Sequence, residues 1–316
     1  MLETVSLGKT DLTMPALGLG TWQWGDRATW SYGNGYSQGD VEEAYRQSRA
    51  AGITFFDTAE IYGGGLSERM LGPLVRAERS EVIVATKFAP LPYRFTASSM
   101  PKALDASLKR LGLAQVDLYQ VHWPWGSPIK IETLMNAMAD QVEMGRIRAV
   151  GVSNYTDAMM RRAHAALAKR GIALASNQVQ YSLLHRNPEQ NGVLAACHEL
   201  NVRLIAYSPL AQGVLTGKYH QGAQVSGSRR RRRLFRADGL QTSAPLIALL
   251  TSIGEAHGGK TSGQVSLNWL MAQGTLPIPG AKNAAQATSN AGALGWSLTD
   301  EEVEQITQEA NKAIAA

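Results

Sequence analysis

The chain has 316 residues, 44% of them hydrophobic and 18% charged, a globular composition too apolar and too weakly charged for a disordered chain. Its formal charge is +5, and the unbroken run from Arg229 to Arg233 carries the whole excess. Without a second basic patch, interleaved aromatics or helix-turn-helix spacing, nucleic-acid binding is not expected. A single cysteine, Cys197, excludes a disulfide framework and a multi-cysteine zinc site. No apolar stretch approaches the roughly 18 residues of a membrane helix, and MLETVSLGKTDLTM lacks the pattern of a secretory signal.

The chain opens as a small hairpin, VSL and LTM about a turn at Gly8-Lys9-Thr10. A regular alternation follows. Short apolar runs stand at 16–20, 53–57, 82–86, 117–121, 148–152, 176–180, 203–207 and 276–280. Continuous apolar runs bounded by turns suit strands buried on both faces. Helical stretches lie near 38–51, 67–77, 100–112, 131–146, 156–170, 189–200 and 261–273, then at 283–293 and 299–313. Eight strands alternating with helices predict an α/β fold, a (β/α)8 TIM barrel with an N-terminal β-hairpin and extra C-terminal helices.

The doubly wound alternative fails at its fingerprint. After Gly18-Leu19-Gly20 the chain continues Thr21-Trp22-Gln23, so the third glycine of G-x-G-x-x-G is missing. A P-loop fails too, because Gln212 holds the first glycine position before Gly217-Lys218 and Tyr219 follows the lysine. No linker divides the chain, so residues 1–316 read as one domain. The longest irregular segment, about 218–243, falls between the seventh and eighth strands. A loop of this length is a lid, a binding loop or disordered.

In a barrel, reactive groups lie just past the C-terminal ends of the strands. The second strand ends at Asp57, with Tyr62 five residues on; Lys87 follows the third and His122 the fourth. Each alone has an ordinary reading, as a helix cap, a packing residue, a surface ion pair or a core histidine. Together they place an acid, a phenol, an amine and an imidazole at one end of three consecutive strands.

The chain resembles the aldo/keto reductase family in FFDTAEIYGGGLSERMLG, VIVATKF, DLYQVHWP, GVSNY, LIAYSPLAQGVLTGKY and PIPGAKNAAQATSNAGALGWSLT, from about residue 7 to 308. Trp22-Gln23-Trp24-Gly25 and the Leu-Phe-Arg after the arginine run are most similar to the cyanobacterial and plant-plastid reductases, near the plant pyridoxal reductases. The resemblance implies a (β/α)8 barrel that reduces aldehydes and ketones with NADPH. Tyr62 would be the general acid, Lys87 and Asp57 its support, and His122 the group that orients the carbonyl oxygen. A free phenol with a pKa near 10 is a sluggish acid at neutral pH, and Lys87 is expected to lower it.

The resemblance also implies an NADP(H) site. Ser153, Asn154 and Gln178 would hold the carboxamide, and Tyr207 would stack on the nicotinamide. Ser208, Pro209, Leu210, Gln212 and Gly213 would line the pyrophosphate path, with Lys218 beyond. Gly20, Thr21, Trp22, Asp57, Ile278, Pro279 and Gly280 complete the lining. Lys282 would meet the 2′-phosphate, with Gln286 and Asn290 at the adenosine, on a helix that opens at Gly280-Ala281-Lys282. The arginine run is expected to be mobile and to close over the cofactor, Arg229 touching phosphate, or else to be a solvated surface loop. Trp22, Phe88 and Trp123 would wall an apolar substrate pocket, with Trp24, Trp30 and Tyr32 nearby. No metal is expected. The partner is a small carbonyl compound, the state a monomer and the compartment the cytoplasm, or the plastid stroma for a plant protein. The alternatives are a dedicated pyridoxal reductase and a cofactor-sensing subunit with little turnover.

Overall fold

The computed structural model describes residues 2–315; Met1 and Ala316, the ends of the expected domain, lie outside the described residues. In chain order the elements are β1 (Thr4–Ser6), β2 (Thr13–Pro15), β3 (Leu19–Gly20), α1 (Gln38–Ala50), β4 (Phe55–Asp57), α2 (Leu66–Ala77), β5 (Ile83–Phe88), α3 (Ser99–Leu111), β6 (Val116–Val121) and α4 (Ile131–Glu143). Next come β7 (Ile147–Ser153), α5 (Asp157–Ala168), β8 (Leu174–Gln180), α6 (Asn187–Gln190), α7 (Val193–Leu200), β9 (Arg203–Tyr207), α8 (Ala237–Ala256), α9 (Ser262–Ala272), β10 (Leu276–Pro277), α10 (Ala284–Ala291) and α11 (Asp300–Ala315).

Strands β3 to β10 form one eight-stranded parallel sheet in sequential order. It closes on itself through a parallel bridge between Gly20 and Gly280, with Gly18 N–H donating to Pro277 O at 3.0 Å and Gly20 N–H to Pro279 O at 3.1 Å. The fold is the expected (β/α)8 barrel. Every residue of β5 and β6 is buried, Lys87, Asp117 and Gln120 included, and their mostly apolar composition suits strands covered on both faces.

The barrel interior holds Phe55, Ile83, Leu118, Ile205, Leu276 and Ile278. Leu7, Leu12 and Met14 of the β1–β2 hairpin join the same cluster and plug the N-terminal end. Hydrophobic burial therefore closes one end and leaves the C-terminal end for the site. A larger core between strands and helices takes the outward faces. Cys197 is buried there, its thiol pushed up to about 12 by desolvation.

The segment 218–243 is not irregular throughout. It makes 3-10 turns at Gly227–Arg231 and Arg233–Phe235 and then enters α8, a 20-residue helix. Gly239, Pro245 and the unbroken Pro-Leu-Ile-Ala-Leu-Leu hide the helical period of α8. It packs on α9 and α11 as an addition to the barrel. Among the described residues no helix is long and apolar enough to cross a membrane, and no cluster of three His, Cys, Asp or Glu could hold a metal.

Candidate active site

A cleft of about 550 Å³ opens at the C-terminal end of the barrel. Asp57 ends β4, Lys87 lies on β5 and His122 follows β6. Tyr62 starts a 3-10 turn, Tyr-Gly-Gly-Gly, in which Gly63, Gly64 and Gly65 all have left-handed φ. At Gly63 an added Cβ would also sit 2.8 Å from the Gly25 backbone. Glycine is what permits this turn, and the turn aims the phenol into the cleft.

Lys87 is fully buried. Its ammonium pairs with Asp57 Oδ1, donates to Thr58 O at 2.8 Å and reaches the Tyr62 hydroxyl at 3.3 Å. The other oxygen of Asp57 accepts from Gln178 Nε2 at 2.9 Å and from Gln120 Nε2 at 3.0 Å. Burial lowers the pKa of Lys87, and the Asp57 charge opposes that shift. Burial holds the Tyr62 phenol well above its ordinary value, with Asp57 pushing the same way. The expected lowering of the phenol is therefore not found, since desolvating a phenolate outweighs an ammonium that already has a counter-ion. Tyr62 is a protonated donor at neutral pH. Burial, and secondarily the Lys87 charge, pushes His122 well below 6.5, so its ring is neutral. Its buried Nδ1 has no partner among the described residues.

A polar chain joins the neighbouring strand ends. Ser153 Oγ donates to Gln178 O at 2.7 Å. Asn154 Nδ2 donates to His122 O at 3.0 Å, and the Tyr207 hydroxyl donates to Asn154 Oδ1 at 3.0 Å. Asn154, Ser208 and Gln212 line the cleft with left-handed φ despite having side chains. Such strain gathers at functional sites.

The expected site residues line this one cleft except Lys87, which lies beneath it, Phe88, and two of the nearby aromatics: Trp24 is fully buried with its Nε1 donating to Ala281 O at 3.0 Å, and Tyr32 packs on Tyr36. Phe88 is fully buried in the outer core with the Arg94 guanidinium 4.9 Å from its ring. It cannot wall the pocket: one residue after Lys87 on a strand, it points to the opposite face. Trp22 faces Tyr62 at 6.4 Å, and Trp123 packs on His122 at 4.6 Å. Lys282 precedes α10 rather than opening it; Asn283 is the cap, its Oδ1 accepting from Gln286 N. Of the arginine run only Arg229 is buried and lines the cleft.

Sequence reasoning missed Gln120, Gln23 and Asp26. Gln120 carried a readable signal, a polar residue two positions before His122 and so on the same strand face. Gln23 and Asp26 had none, because their loop carries no periodicity.

The chain matches the aldo/keto reductase family over residues 16–311. It belongs to that family. It is 39% identical to the chloroplastic pyridoxal reductase of Arabidopsis thaliana, covering 96% of this chain and 85% of that one. It is 34% identical to a Schizosaccharomyces pombe aldo-keto reductase named for NADP(+), over 83% of this chain and 80% of the other. Among solved structures, a Klebsiella pneumoniae aldo/keto reductase in complex with NADP and acetate superimposes with a TM-score of 0.74 at 30% identity, covering 98% of this chain and 95% of that one. Family membership makes the chain an oxidoreductase.

Proposed function

We propose that this chain reduces aldehydes and ketones to alcohols with NADPH, with Tyr62 as the general acid. The observation that carries the reading is the Tyr62 hydroxyl at the cleft, 3.3 Å from a buried lysine already paired with Asp57. A protonated phenol can release its proton to a carbonyl oxygen that is gaining negative charge. The ammonium of Lys87 then faces the phenolate and stabilises it. His122, neutral, donates a hydrogen bond to the same carbonyl oxygen and sets its direction. Trp22 and Trp123 exclude water from the reacting carbon.

The residues present fit a phosphorylated dinucleotide. Lys218, Arg229 and Lys282 line one part of the cleft, and none of them has a carboxylate ion partner among the described residues. Arg229 Nε and Gln212 Oε1 are buried without partners. When bound, the cofactor supplies the hydride. Ser153, Asn154 and Gln178 would hold its carboxamide, Tyr207 would cover its ring, and Ser208, Leu210 and Gly213 would follow its pyrophosphate, a reading supported by their shared place in the cleft lining. The cleft draws every group from a single sheet and its loops, which supports a monomer of one domain.

The test is a substrate panel with NADPH and NADH. The reading expects turnover of unrelated aldehydes, with NADPH preferred; turnover of none by a folded protein that binds NADPH would overturn it. A dedicated pyridoxal reductase is the second reading, favoured by the 39% identity to the plant enzyme. It requires kcat/KM for pyridoxal to exceed that for simple aromatic aldehydes by orders of magnitude. A broad reductase discriminates weakly, because apolar walls reject little.

A further inference from the structure

Trp30 was expected near the substrate wall; its ring meets Trp22 there and also faces two cations. The guanidinium of Arg229 lies 4.4 Å from the Trp30 ring centroid, and the ammonium of Lys282 lies 5.4 Å from it. Lys282 Nζ also donates to Trp30 O at 2.8 Å. The indole is buried, lines the cleft, and leaves its Nε1 without a partner. Its edge meets Trp22 at 5.6 Å, close to perpendicular.

Two like charges thus flank the Trp30 ring, and Lys282 lies nearer still to the Tyr36 ring, 4.4 Å from its centroid. Burial and the neighbouring cations Arg229 and Lys218 push Lys282 down to about 8, with the Asp26 carboxylate opposing the shift. A carboxylate in the place of Trp30 would neutralise the pair and leave nothing for a ligand. An aromatic face attracts both cations through its quadrupole while cancelling neither charge. The surplus stays available to an incoming dianion, and the unpartnered Nε1–H adds a donor beside it.

We propose that Trp30 is a specificity residue for the 2′-phosphate of the cofactor. It holds Arg229 and Lys282 in register for that group and adds its indole N–H to the site. The inference rests on the function proposed above, and it asks something narrower: which residue separates NADP from NAD. The loop geometry supports it. Ser228 N–H donates to Ala28 O at 3.2 Å, which fastens the arginine turn to the loop carrying Trp30. Substituting the side chain leaves the Trp30 carbonyl, and its bond to Lys282, in place.

The test is calorimetric binding of NADP+ and NAD+ to wild type, Trp30→Phe and Trp30→Leu, with 2′-AMP and 5′-AMP as smaller probes. Trp30→Leu should weaken NADP+ and 2′-AMP about tenfold, in line with a desolvated cation–π contact, and change NAD+ and 5′-AMP less than about twofold. Trp30→Phe, which keeps a face but loses the N–H, should fall between. In the Lys282→Ala background, Trp30→Leu should cost clearly less than in wild type, because the two act through one contact. Equal losses for NADP+ and NAD+, or full additivity with Lys282→Ala, would make Trp30 a packing residue and overturn the inference while leaving the reductase reading intact. Wild-type protein indifferent to the 2′-phosphate would overturn the inference and the NADPH preference together.

Discussion

The ammonium of Lys87 lies 3.3 Å from the Tyr62 hydroxyl, and Asp57 holds the same ammonium from the other side. Two strand ends and one glycine turn converge to make that contact, and the chemistry assigned to the cleft depends on it.

Asp57 needs its second oxygen satisfied. Gln120→Leu removes one of the two amide donors to that buried carboxylate and also the acceptor that Gln178 Nε2 uses at 3.3 Å. Stability should fall by about 1–3 kcal/mol, the cost of an unmet buried partner. Urea unfolding measures it. Turnover should fall as well, because Asp57 and Gln178 both loosen. Unchanged stability would show that a water replaces the amide.

Much of the barrel was legible because strands such as β5 and β6 are buried on both faces and so are mostly apolar, without a regular polar alternation. Helix α8 was not, since Pro245 and Gly239 interrupt it and its apolar residues cluster instead of recurring each turn. At the site, Asp57, Lys87 and His122 were readable as strand ends. Phe88 was misplaced because adjacency in the chain was taken for adjacency in space, against the two-residue alternation of a strand. The meeting of Trp30, Arg229 and Lys282 had no signal, since contacts across 252 residues of chain depend on barrel closure.

Lys282 gives a pH dependence with a definite sign. Its pKa is depressed to about 8, so the cation is present below that pH and lost as pH rises through it. A 2′-phosphate, with its second pKa near 6, stays dianionic throughout. NADP+ affinity should therefore decline above about pH 8, and NAD+ affinity should stay flat. Fluorescence titration of both cofactors across that range checks it. Parallel declines would show that another group titrates.

Gly227 has φ +67°, and a Cβ there would lie 2.2 Å from Thr29 O. Gly227→Ala should lift the arginine turn off the Ala28–Trp30 loop and release Arg229. Trypsin cleavage within 229–236 should accelerate, and NADP+ should protect less well than in wild type. Cleavage at the wild-type rate would mean that the turn docks without this contact.

Tyr62→Phe tests the central claim most directly. The substitution keeps the ring beside Trp22 and removes the proton donor. Following dihydronicotinamide absorbance with an activated aromatic aldehyde, wild type should turn over and the variant should fall by about two or more orders of magnitude. NADPH binding by the same two proteins should be nearly equal. A variant with near-normal kcat would contradict the assignment of Tyr62 as the acid, and with it the proposed mechanism.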